Sequence, residues 1–585
     1  MHQFLVSAAH KSSGKTTITV GLCAALRARG LRVQPFKKGP DYIDPMWLRQ
    51  ASGLDCYNLD PYLMSAQQIA ASFQRRSAQA DVAVVEGNKG LYDGLALDGS
   101  NSNAGLARML NLPIVLVLDA RGMTRGVAPL ILGYQAFDRG IRIAGVILNQ
   151  LGGSRHESKL RSVIEHYTDV AVVGAVGHDP RLAMVERHLG LIPSQECGDA
   201  TQTVRTIAEL VGTQVDLDKL LRLCAAEPGA PAPRTPSGQV QLHARPGEPI
   251  RIGLPRDKAF GFYYPDDLAA MQDQGAVLVP FDTLHDRELP KIDGLFIGGG
   301  FPEVFAQELE ANRSMRHSIH AAIQAGLPVY AECGGLMYLA RTLRWKDTCC
   351  EMVGALPADV VMHDRPVGRG YVTLQPTGLA PWPAGTDMEP APLRGHEFHY
   401  SSLENLPDDM RFAYRVLRGH GTNATHDGLL CRNVLASYSH LRSGAGSNWV
   451  EGFMSFVRTH KQSDRACAQD CANPGELIVD GRRVQTDSEG YLKNLDDWSE
   501  DFAVAQAQKE GLELTEAHWQ VIQFLRAYYD KHRVQAQVRA MIWHFSEVWG
   551  PQRGNNHALH ELFPVGGPQK QGNRLAGLLK TKGEH

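Results

Sequence analysis

The sequence has few cysteines, no long apolar run and almost no net charge. Its 585 residues include only 10 cysteines at irregular spacing, which argues against a disulfide-bonded secreted scaffold and favours the cytoplasm. With 60 basic against 63 acidic residues, the formal charge is −3, so no general attraction to nucleic acid is expected. No apolar run approaches the roughly 18 residues that span a bilayer, and the first residues lack the charged and apolar regions of a signal peptide. The sequence therefore predicts a soluble cytoplasmic protein that binds neither nucleic acid nor membrane.

Length and composition predict several globular domains. Hydrophobic residues make up 43% of the chain, and 585 residues are enough for three or four domains. A Pro-rich stretch at 226–249 predicts a linker between a first domain, 1–225, and a second, 250–457. A polar stretch at 458–475 predicts another linker before a third domain, 476–585, with mostly helical periodicity. Apolar strands alternate with helices in the first domain, which predicts an α/β fold with a doubly wound, mostly parallel sheet.

A turn around Cys333 carries the candidate nucleophile. Residues 327–330 predict a buried strand, Glu-Cys-Gly-Gly follows, and a helix is predicted from Leu336. A nucleophile on a strand-to-helix turn stands clear of the sheet, and a thiol at a helix N-terminus is partly ionised. The alternative is a buried structural cysteine. A predicted strand at 294–298 runs into further glycines, whose amides can hold an oxyanion unless they form only a tight loop. The candidate oxyanion residues are Gly299, Gly300 and Gly334.

A second constellation lies at the N-terminus. Residues 4–8 predict a strand, residues 9–16 read Ala-His-Lys-Ser-Ser-Gly-Lys-Thr, and an amphipathic helix is predicted through Ala28. This is the context of a phosphate-binding loop, although Ala9 stands where the first glycine is usual. Backbone amides would cradle the phosphates of ATP, Lys15 would reach the outer phosphates, and Thr16 could ligate Mg²⁺. The candidate ATP-binding residues are Lys11, Gly14, Lys15, Thr16, Thr17 and Asn149.

Acidic residues follow the predicted strands of the same domain. Lys37 is followed by a Gly-Pro turn with Asp41 and Asp44, and another strand ends at Glu86. Two acids from different strand ends, together with Thr16, would form a shell of hard oxygen ligands for Mg²⁺, whereas Asp41 alone would suit a solvated turn. Asn149 ends a further strand, where its amide could bind an adenine edge.

Several of these segments resemble the cobyrinate a,c-diamide synthase family. The resemblance runs from about residue 3 to about residue 457. It implies a class I glutaminase domain joined to an ATP-dependent amidoligase that amidates acetate groups of tetrapyrroles. It also implies that Thr16, Asp41 and Glu86 hold Mg²⁺ and that Tyr42 and Asp44 lie near the acceptor. The matching segments are Lys-Lys-Gly-Pro-Asp-Tyr-Ile-Asp (37–44), Tyr57-Asn-Leu-Asp60, 86–94, Gly145-Val-Ile-Leu-Asn149 and 186–190.

The same resemblance selects His440 as the base that pairs with Cys333. A base need only be near the nucleophile in the fold, and His440 follows a predicted strand from Val434. His396 and His399 are the runners-up. Many class I glutaminases have a Glu two residues after the base, where this chain has Arg442, so the third member of the site is not assigned.

The C-terminal domain contains a further set of motifs, at Gly490-Tyr-Leu, Asp496-Asp-Trp498, 514–519, 562–571 and 576–578. With these motifs the domain resembles the gamma-like DsrC/TusE sulfur-relay family. That family carries two redox cysteines on a C-terminal arm, but this chain has Asn573 at the first position and ends in Lys-Gly-Glu-His without the last. Without thiols the arm cannot perform disulfide chemistry, which predicts a docking or regulatory module.

Together these features predict glutamine- and ATP-dependent amidation of siroheme, the tetrapyrrole of sulfite reductases. The alternative is cobyrinate a,c-diamide synthesis for cobalamin, and an alternative of another class is a degenerate scaffold that binds sulfur-relay partners. Free ammonia has to pass between the centres unprotonated, which predicts a sheltered path, and docking to sulfite reductase is expected of the tail. Composition does not decide between a monomer and a homodimer.

Overall fold

The computed structural model describes residues 1–187, 190–226, 249–382, 391–444, 447–471, 476–479, 482–487 and 489–579. The chain forms two compact units, Met1–His460 and Lys461–His585. The predicted linker at 226–249 lies almost entirely outside the described residues. Residues 580–585, where the last redox cysteine of the DsrC/TusE family was expected, also lie outside them. None of the helices in the described ranges combines the length and the apolar character needed to cross a membrane.

The first half of the larger unit is a parallel α/β sheet. Its described strands run in the order β3-β2-β4-β1-β5-β6-β7, and every neighbouring pair is parallel. Most positions of these strands are buried because helices cover both faces, as the uninterrupted apolar runs predict. The strands of this sheet are β1 (His2–Ala8), β2 (Val33–Lys38), β3 (Tyr57–Leu59), β4 (Val82–Glu86), β5 (Ile114–Asp119), β6 (Ile143–Leu151) and β7 (Ala171–Gly177). A separate antiparallel pair is formed by β8 (Glu186–Arg187) and β9 (Gly190–Leu191).

The helices of this half follow the strands in alternation, so the doubly wound fold is confirmed. Helix α1 starts at Lys15, directly after the loop that follows β1, and its buried face packs on α7 in one core. The helices are α1 (Lys15–Ala28), α2 (Ile43–Ser52), α3 (Ala66–Ser77), α4 (Asn103–Leu110), α5 (Val127–Phe137), α6 (Ser154–Tyr167), α7 (Ala200–Gln214) and α8 (Leu217–Leu223).

The second half of the larger unit is built on a mixed sheet. Its described strands run in the order β12-β10-β13-β15-β24-β23-β22-β19-β20-β25, parallel from β12 to β24 and antiparallel beyond. The strands of this sheet are β10 (Ile250–Pro255), β12 (Ala276–Phe281), β13 (Gly294–Ile297), β15 (Val329–Glu332), β19 (Gly368–Pro376), β20 (Leu393–His399), β22 (Arg411–Arg418), β23 (His426–Cys431), β24 (Val434–Ser437) and β25 (His440–Leu441). Two smaller sheets consist of β11 (Phe260–Phe262) with β14 (Gly299–Gly300), and of β16 (Thr342–Trp345), β17 (Thr348–Glu351), β18 (Asp359–Met362) and β21 (Ser401–Glu404). The helices are α9 (Pro265–Asp273), α10 (Ala306–Ala311), α11 (Arg313–Gln324), α12 (Gly334–Leu339) and α13 (Trp449–Cys471).

Two local features differ from the sequence expectations. The strand expected at 434–440 is broken, since β24 ends at Ser437 and His440 lies in the separate strand β25, opposite His396 on β20. Most of the linker expected at 458–475 lies within α13. The break between β24 and β25 matters for function because it places the imidazoles of His440 and His396 side by side.

The smaller unit is mostly helical. A short hairpin of β26 (Glu476–Val479) and β27 (Arg482–Gln485) precedes the helices. Phe502 is fully buried in this unit, whereas Trp543 is 68% exposed. The helices are α14 (Glu500–Lys509), α15 (Glu516–His532), α16 (Val538–Val548), α17 (Asn556–Leu562) and α18 (Gly567–Leu575). Asn573, at the position of the absent first redox cysteine, is buried in α18.

Candidate active site

The loop between β1 and α1 has the shape of a phosphate cradle. Gly14 caps α1 with φ +84°, a left-handed conformation that glycine adopts freely. A Cβ at this position would lie 2.2 Å from the Asn149 side-chain nitrogen. That nitrogen donates to the Ser13 carbonyl at 3.0 Å, so Asn149 supports the loop, and the adenine contact stays a prediction. Lys11 is exposed in the loop and Thr17 is half-buried at the helix start.

A cluster of carboxylates surrounds the Lys37 ammonium beside this loop. The Lys37 Nζ atom is 2.9 Å from Glu86 and 3.8 Å from Asp41, and it also contacts Asp44. The Thr16 hydroxyl donates to Glu86 at 2.6 Å and to Asp44 at 3.4 Å. Asp44, which was predicted to lie near the acceptor, is therefore hydrogen-bonded to Thr16, whereas the described contacts include no hydrogen bond between Thr16 and Asp41. Lys37 is at the centre of the cluster, although the sequence analysis gave it no role.

Burial and neighbouring charge set the proton affinities of this cluster. Burial, reinforced by the nearby Lys37, lowers the pKa of Lys15. Burial also opposes the charge on Lys37, but Asp44 and Glu86 outweigh it and its pKa lies well above the usual range. Burial raises the pKa of Glu86. The second carboxylate oxygen of Glu86 is buried without a hydrogen-bond partner among the described residues, so it is available to a cation. These hard oxygen donors fit Mg²⁺.

Cys333 lies on a strained turn between β15 and α12. Its backbone has φ 47° and ψ −102°, which is rare for a residue with a side chain and marks a strand-to-helix elbow. The Cys333 amide donates to the Ser437 carbonyl at 2.7 Å, which holds the elbow to β24. Two glycines must follow, because a Cβ at Gly335 would lie 2.4 Å from the Ile297 carbonyl oxygen and one at Gly334 would lie 3.0 Å from the Gly300 nitrogen.

The imidazole of His440 joins the thiol to a buried carboxylate. Its Nδ1 atom lies 3.0 Å from Glu332 Oε2, and the ring lines the same cavity as the Cys333 thiol. Burial lowers the pKa of His440, but the bonds to Cys333 and Glu332 outweigh it and raise the pKa to about 10. Glu332 is the orienting residue that sequence reasoning missed. The signal was its place directly before the nucleophile, at the end of a buried strand where a carboxylate needs a partner.

The remaining candidates near this pair take other positions. Arg442 is buried and forms an ion pair with Asp266. The position at which many class I glutaminases have a Glu therefore holds a structural ion pair in this chain. His396 stacks on His440 with ring centroids 4.9 Å apart, and burial together with His440 holds its pKa well below the usual range. His399 stacks instead on Tyr438 at 3.9 Å. Neither runner-up is hydrogen-bonded to the thiol in the described contacts.

The candidate oxyanion glycines lie beside the thiol. Gly299 and Gly300 form β14, which pairs with β11, and a Cβ at Gly300 would lie 1.9 Å from the Ala259 carbonyl oxygen. A Cβ at Gly299 would lie 2.8 Å from Cε1 of His440. Only glycine fits these two positions, because a side chain would collide with the Ala259 carbonyl or with the His440 ring.

A cavity of about 270 Å³ opens at the thiol and reaches the first half of the unit. Cys333 and His440 line it together with Asp41 and Tyr42. The Tyr42 ring stacks on Phe262 at 5.3 Å and lies 5.2 Å from the His440 ring. Since Asp41 is 3.8 Å from Lys37, neighbouring residues of one turn contact both centres.

Three family models match separate stretches of the chain. Family models match a CobQ/CobB/MinD/ParA nucleotide binding domain over 5–192, a CobB/CobQ-like glutamine amidotransferase domain over 251–446, and a DsrC like protein over 478–583. The NMR structure of Allochromatium vinosum DsrC is 40% identical and covers 19% of this chain and 98% of its own, with a TM-score of 0.18.

Curated relatives cover the larger unit nearly end to end. A cobyrinate a,c-diamide synthase of Magnetococcus marinus is 44% identical over 457 residues, which are 78% of this chain and 97% of that protein. One from Methanosarcina acetivorans is 42% identical over 465 residues, 75% of this chain and 92% of that protein. The nucleotide-binding and amidotransferase domains make the chain an ATP-dependent ligase with glutamine amidotransferase activity. The chain belongs to the cobyrinate a,c-diamide synthase family.

Proposed function

We propose that the protein uses glutamine and ATP to amidate acetate carboxylates of a tetrapyrrole, with siroheme as the acceptor. The observation that carries the proposal is the shared turn at residues 41–42. Asp41 and Tyr42 line the cavity at the Cys333 thiol, and Asp41 also contacts the Lys37 cluster beside the phosphate-binding loop. A nitrogen-releasing centre and a carboxylate-activating centre are thus neighbours.

In the first reaction, Cys333 attacks the side-chain amide carbon of glutamine. His440, whose pKa is raised to about 10, already holds the proton of the thiol, so Cys333 attacks as the thiolate and the imidazolium then gives that proton to the leaving nitrogen. The tetrahedral oxyanion would be stabilised by backbone amides at Gly300 and Gly334. Ammonia leaves, and water hydrolyses the thioester to release glutamate and regenerate the thiol.

In the second reaction, an acceptor carboxylate takes the γ-phosphoryl group of ATP. The acyl phosphate and ADP form, ammonia attacks the acyl carbon, and phosphate leaves. Lys15 binds the outer phosphates, while Thr16, Glu86 and the acids at 41 and 44 are the residues that would hold Mg²⁺. When bound, Mg²⁺ neutralises phosphate charge during phosphoryl transfer. Lys37 keeps its proton next to these acids and stabilises the negative charge that gathers there.

Ammonia travels between the centres along the cavity at Tyr42. The ring of Tyr42 packs against Phe262 and His440, which keeps bulk water away from the short route from the thiol to Asp41. Sheltering matters because ammonia is mostly protonated in neutral water and then loses its nucleophilicity.

The fused C-terminal domain supports siroheme over cobyrinate. Residues 478–583 match the DsrC family model, and siroheme is the tetrapyrrole of sulfite reductases. Within this proposal the domain docks the amidase to sulfur-relay proteins or to sulfite reductase. Cobyrinate remains the second candidate, because the relatives that match the larger unit are named cobyrinate a,c-diamide synthases.

The test is incubation of the full-length protein with amide-¹⁵N glutamine, ATP and Mg²⁺, with siroheme in one reaction and cobyrinate in the other. We expect ¹⁵N in amidated siroheme by mass spectrometry. Label in cobyrinate alone would refute the siroheme assignment, and label in neither would refute tetrapyrrole amidation.

A matched pair of cysteine variants tests the nucleophile. Cys333→Ser should abolish the use of glutamine but retain amidation with added ammonia, because the second centre is intact. Cys349→Ser, at an exposed cysteine on β17, is the control and should change neither activity. Retention of glutamine use by Cys333→Ser would contradict the assignment.

A further inference from the structure

A second cavity, of about 820 Å³, lies next to the turn at residues 41–42. It shares Asp41 and Tyr42 with the cavity at the thiol, and its walls come from both halves of the larger unit. Its volume is in the upper part of the range of about 300–1,000 Å³ for small-molecule sites. This space is far larger than a glutamine side chain needs.

Basic side chains from separate elements line this cavity. Arg49 lies on α2, Arg76 on α3, and Arg256 and Lys258 follow β10. Arg49 pairs with Asp55 at 3.1 Å, and Arg76 reaches Asp266 at 3.4 Å. In the described part of the chain, Arg256 and Lys258 form no ion pair, and both are exposed. Two cations therefore face the cavity with their charge available.

The acidic residues of the same wall are largely occupied. Asp257 accepts hydrogen bonds from the Thr283 hydroxyl and amide, both at 2.7 Å, and Asp282 lies 2.9 Å from His285. Asp55 is paired with Arg49. In the described part of the chain, a ligand carboxylate would thus find Arg256 and Lys258 without a carboxylate partner, whereas the oxygens of Asp55, Asp257 and Asp282 are already paired or hydrogen-bonded. Asp41, the remaining acid of the wall, lies 3.8 Å from Lys37. Tyr57 and Tyr263 add aromatic surface to the wall.

We propose that this cavity binds the acceptor, a macrocycle that carries several carboxylates, with Arg256 and Lys258 as its carboxylate-binding residues. The inference rests on the proposed function. The acetate to be amidated lies at Asp41, which is 3.8 Å from Lys37 of the ATP centre, and other acetates or propionates reach the basic residues. The contacts of these other carboxylates with Arg256 and Lys258 orient the macrocycle, and its orientation determines which acetate is phosphorylated.

The experiment measures acceptor binding directly, without ATP or glutamine. Siroheme and cobyrinate are titrated separately into the full-length protein, and bound ligand is followed by absorbance. The double variant R256Q/K258Q should bind the acceptor roughly tenfold more weakly, since two charge-assisted contacts are lost. The charge-keeping variant R256K/K258R should bind within about twofold of the wild type, because the macrocycle meets the same charges.

A matched control separates the site from general charge. R155Q/K159Q removes two exposed cations from α6, outside the cavity, and should leave binding unchanged. The affinity of the wild type should fall with ionic strength more steeply than that of R256Q/K258Q.

The outcomes distinguish this inference from the proposed function. If the wild type amidates a tetrapyrrole but R256Q/K258Q binds it as tightly as the wild type, the cavity assignment is wrong and the function stands. If R155Q/K159Q weakens binding equally, the assignment is also wrong. If the wild type neither binds nor amidates either tetrapyrrole, the proposed function fails and this inference with it.

Discussion

Replacing Glu332 with Gln should prevent His440 from accepting the proton of the Cys333 thiol, while the ATP-binding centre stays intact. Glu332 Oε2 accepts from His440 Nδ1 at 3.0 Å, and Oε1 accepts from the Tyr330 hydroxyl at 2.9 Å and the Leu441 amide at 3.0 Å. A Gln side chain can keep both bonds at its oxygen, so the fold is retained. Its NH₂ group then faces Nδ1 and, being a donor, favours the imidazole with its proton on Nε2.

That tautomer is the wrong one for the reaction, because Nε2 can no longer accept the proton of the Cys333 thiol. Loss of a hydrogen bond to a charged group costs about 1.5–3 kcal/mol, or about 10- to 150-fold in rate. A tautomer change costs more than the bond alone, as the much larger effect of the equivalent change in a Ser-His-Asp triad indicates. We therefore expect glutamine-dependent amidation to fall at least about 100-fold.

The assay compares amidation driven by glutamine with amidation driven by added ammonia, in the same preparation. Glu332→Gln should reduce the first and leave the second within about twofold of the wild type. Glu404→Gln, an exposed carboxylate on β21 that pairs with Arg344 at 2.6 Å, is the control and should affect neither. A loss of less than about threefold with glutamine, or an equal loss with ammonia, would refute the role given to Glu332.

Three further predictions follow from the same contacts. Because the pKa of His440 is raised to about 10, the imidazole keeps its proton below that pH and loses it above. The rate of glutamine hydrolysis at saturating glutamine should therefore persist to about pH 9 and then fall. A rate that already falls with a midpoint near pH 7 would contradict this. Tyr42→Ala should open the ammonia route to water and release more ammonia per amide formed, whereas Tyr42→Phe should not; equal coupling in both would contradict the sheltered route. Truncation after Cys471 should leave amidation kinetics unchanged, because the amidotransferase match ends at residue 446 and the DsrC like match begins at 478. It should abolish association with sulfite reductase in pull-down assays, and altered kinetics would contradict the docking role.

Short-range patterns made the fold and the family predictable. The strand, loop and helix around Lys15 are contiguous, and the same holds for the elbow at Cys333, so each pattern is complete within about 25 residues. Alternating apolar strands and helices indicated the parallel sheet, and the resemblance to cobyrinate a,c-diamide synthases is confirmed by relatives that are 37–44% identical.

Long-range contacts are what the sequence could not supply. Glu332 and His440 are 108 positions apart, and only the break between β24 and β25 turns the imidazole toward the carboxylate. Lys37 gains its importance from Glu86, 49 positions away, which no local pattern connects to it. The pairing of Arg442 with Asp266 spans 176 positions. No acid is needed at residue 442, because Glu332 already supplies the carboxylate next to His440.

The turn at residues 41–42 contacts both centres, so the two reactions should depend on each other. Tyr42 packs on His440, whereas Asp41, its neighbour in the chain, contacts Lys37, so a movement of either residue displaces the other by a covalent link. The acceptor cavity also includes both residues, which means that a bound macrocycle presses on the residue that contacts the base. Glutamine hydrolysis and acceptor occupancy should therefore respond to each other through residues 41–42, and ammonia is released where an activated carboxylate already lies.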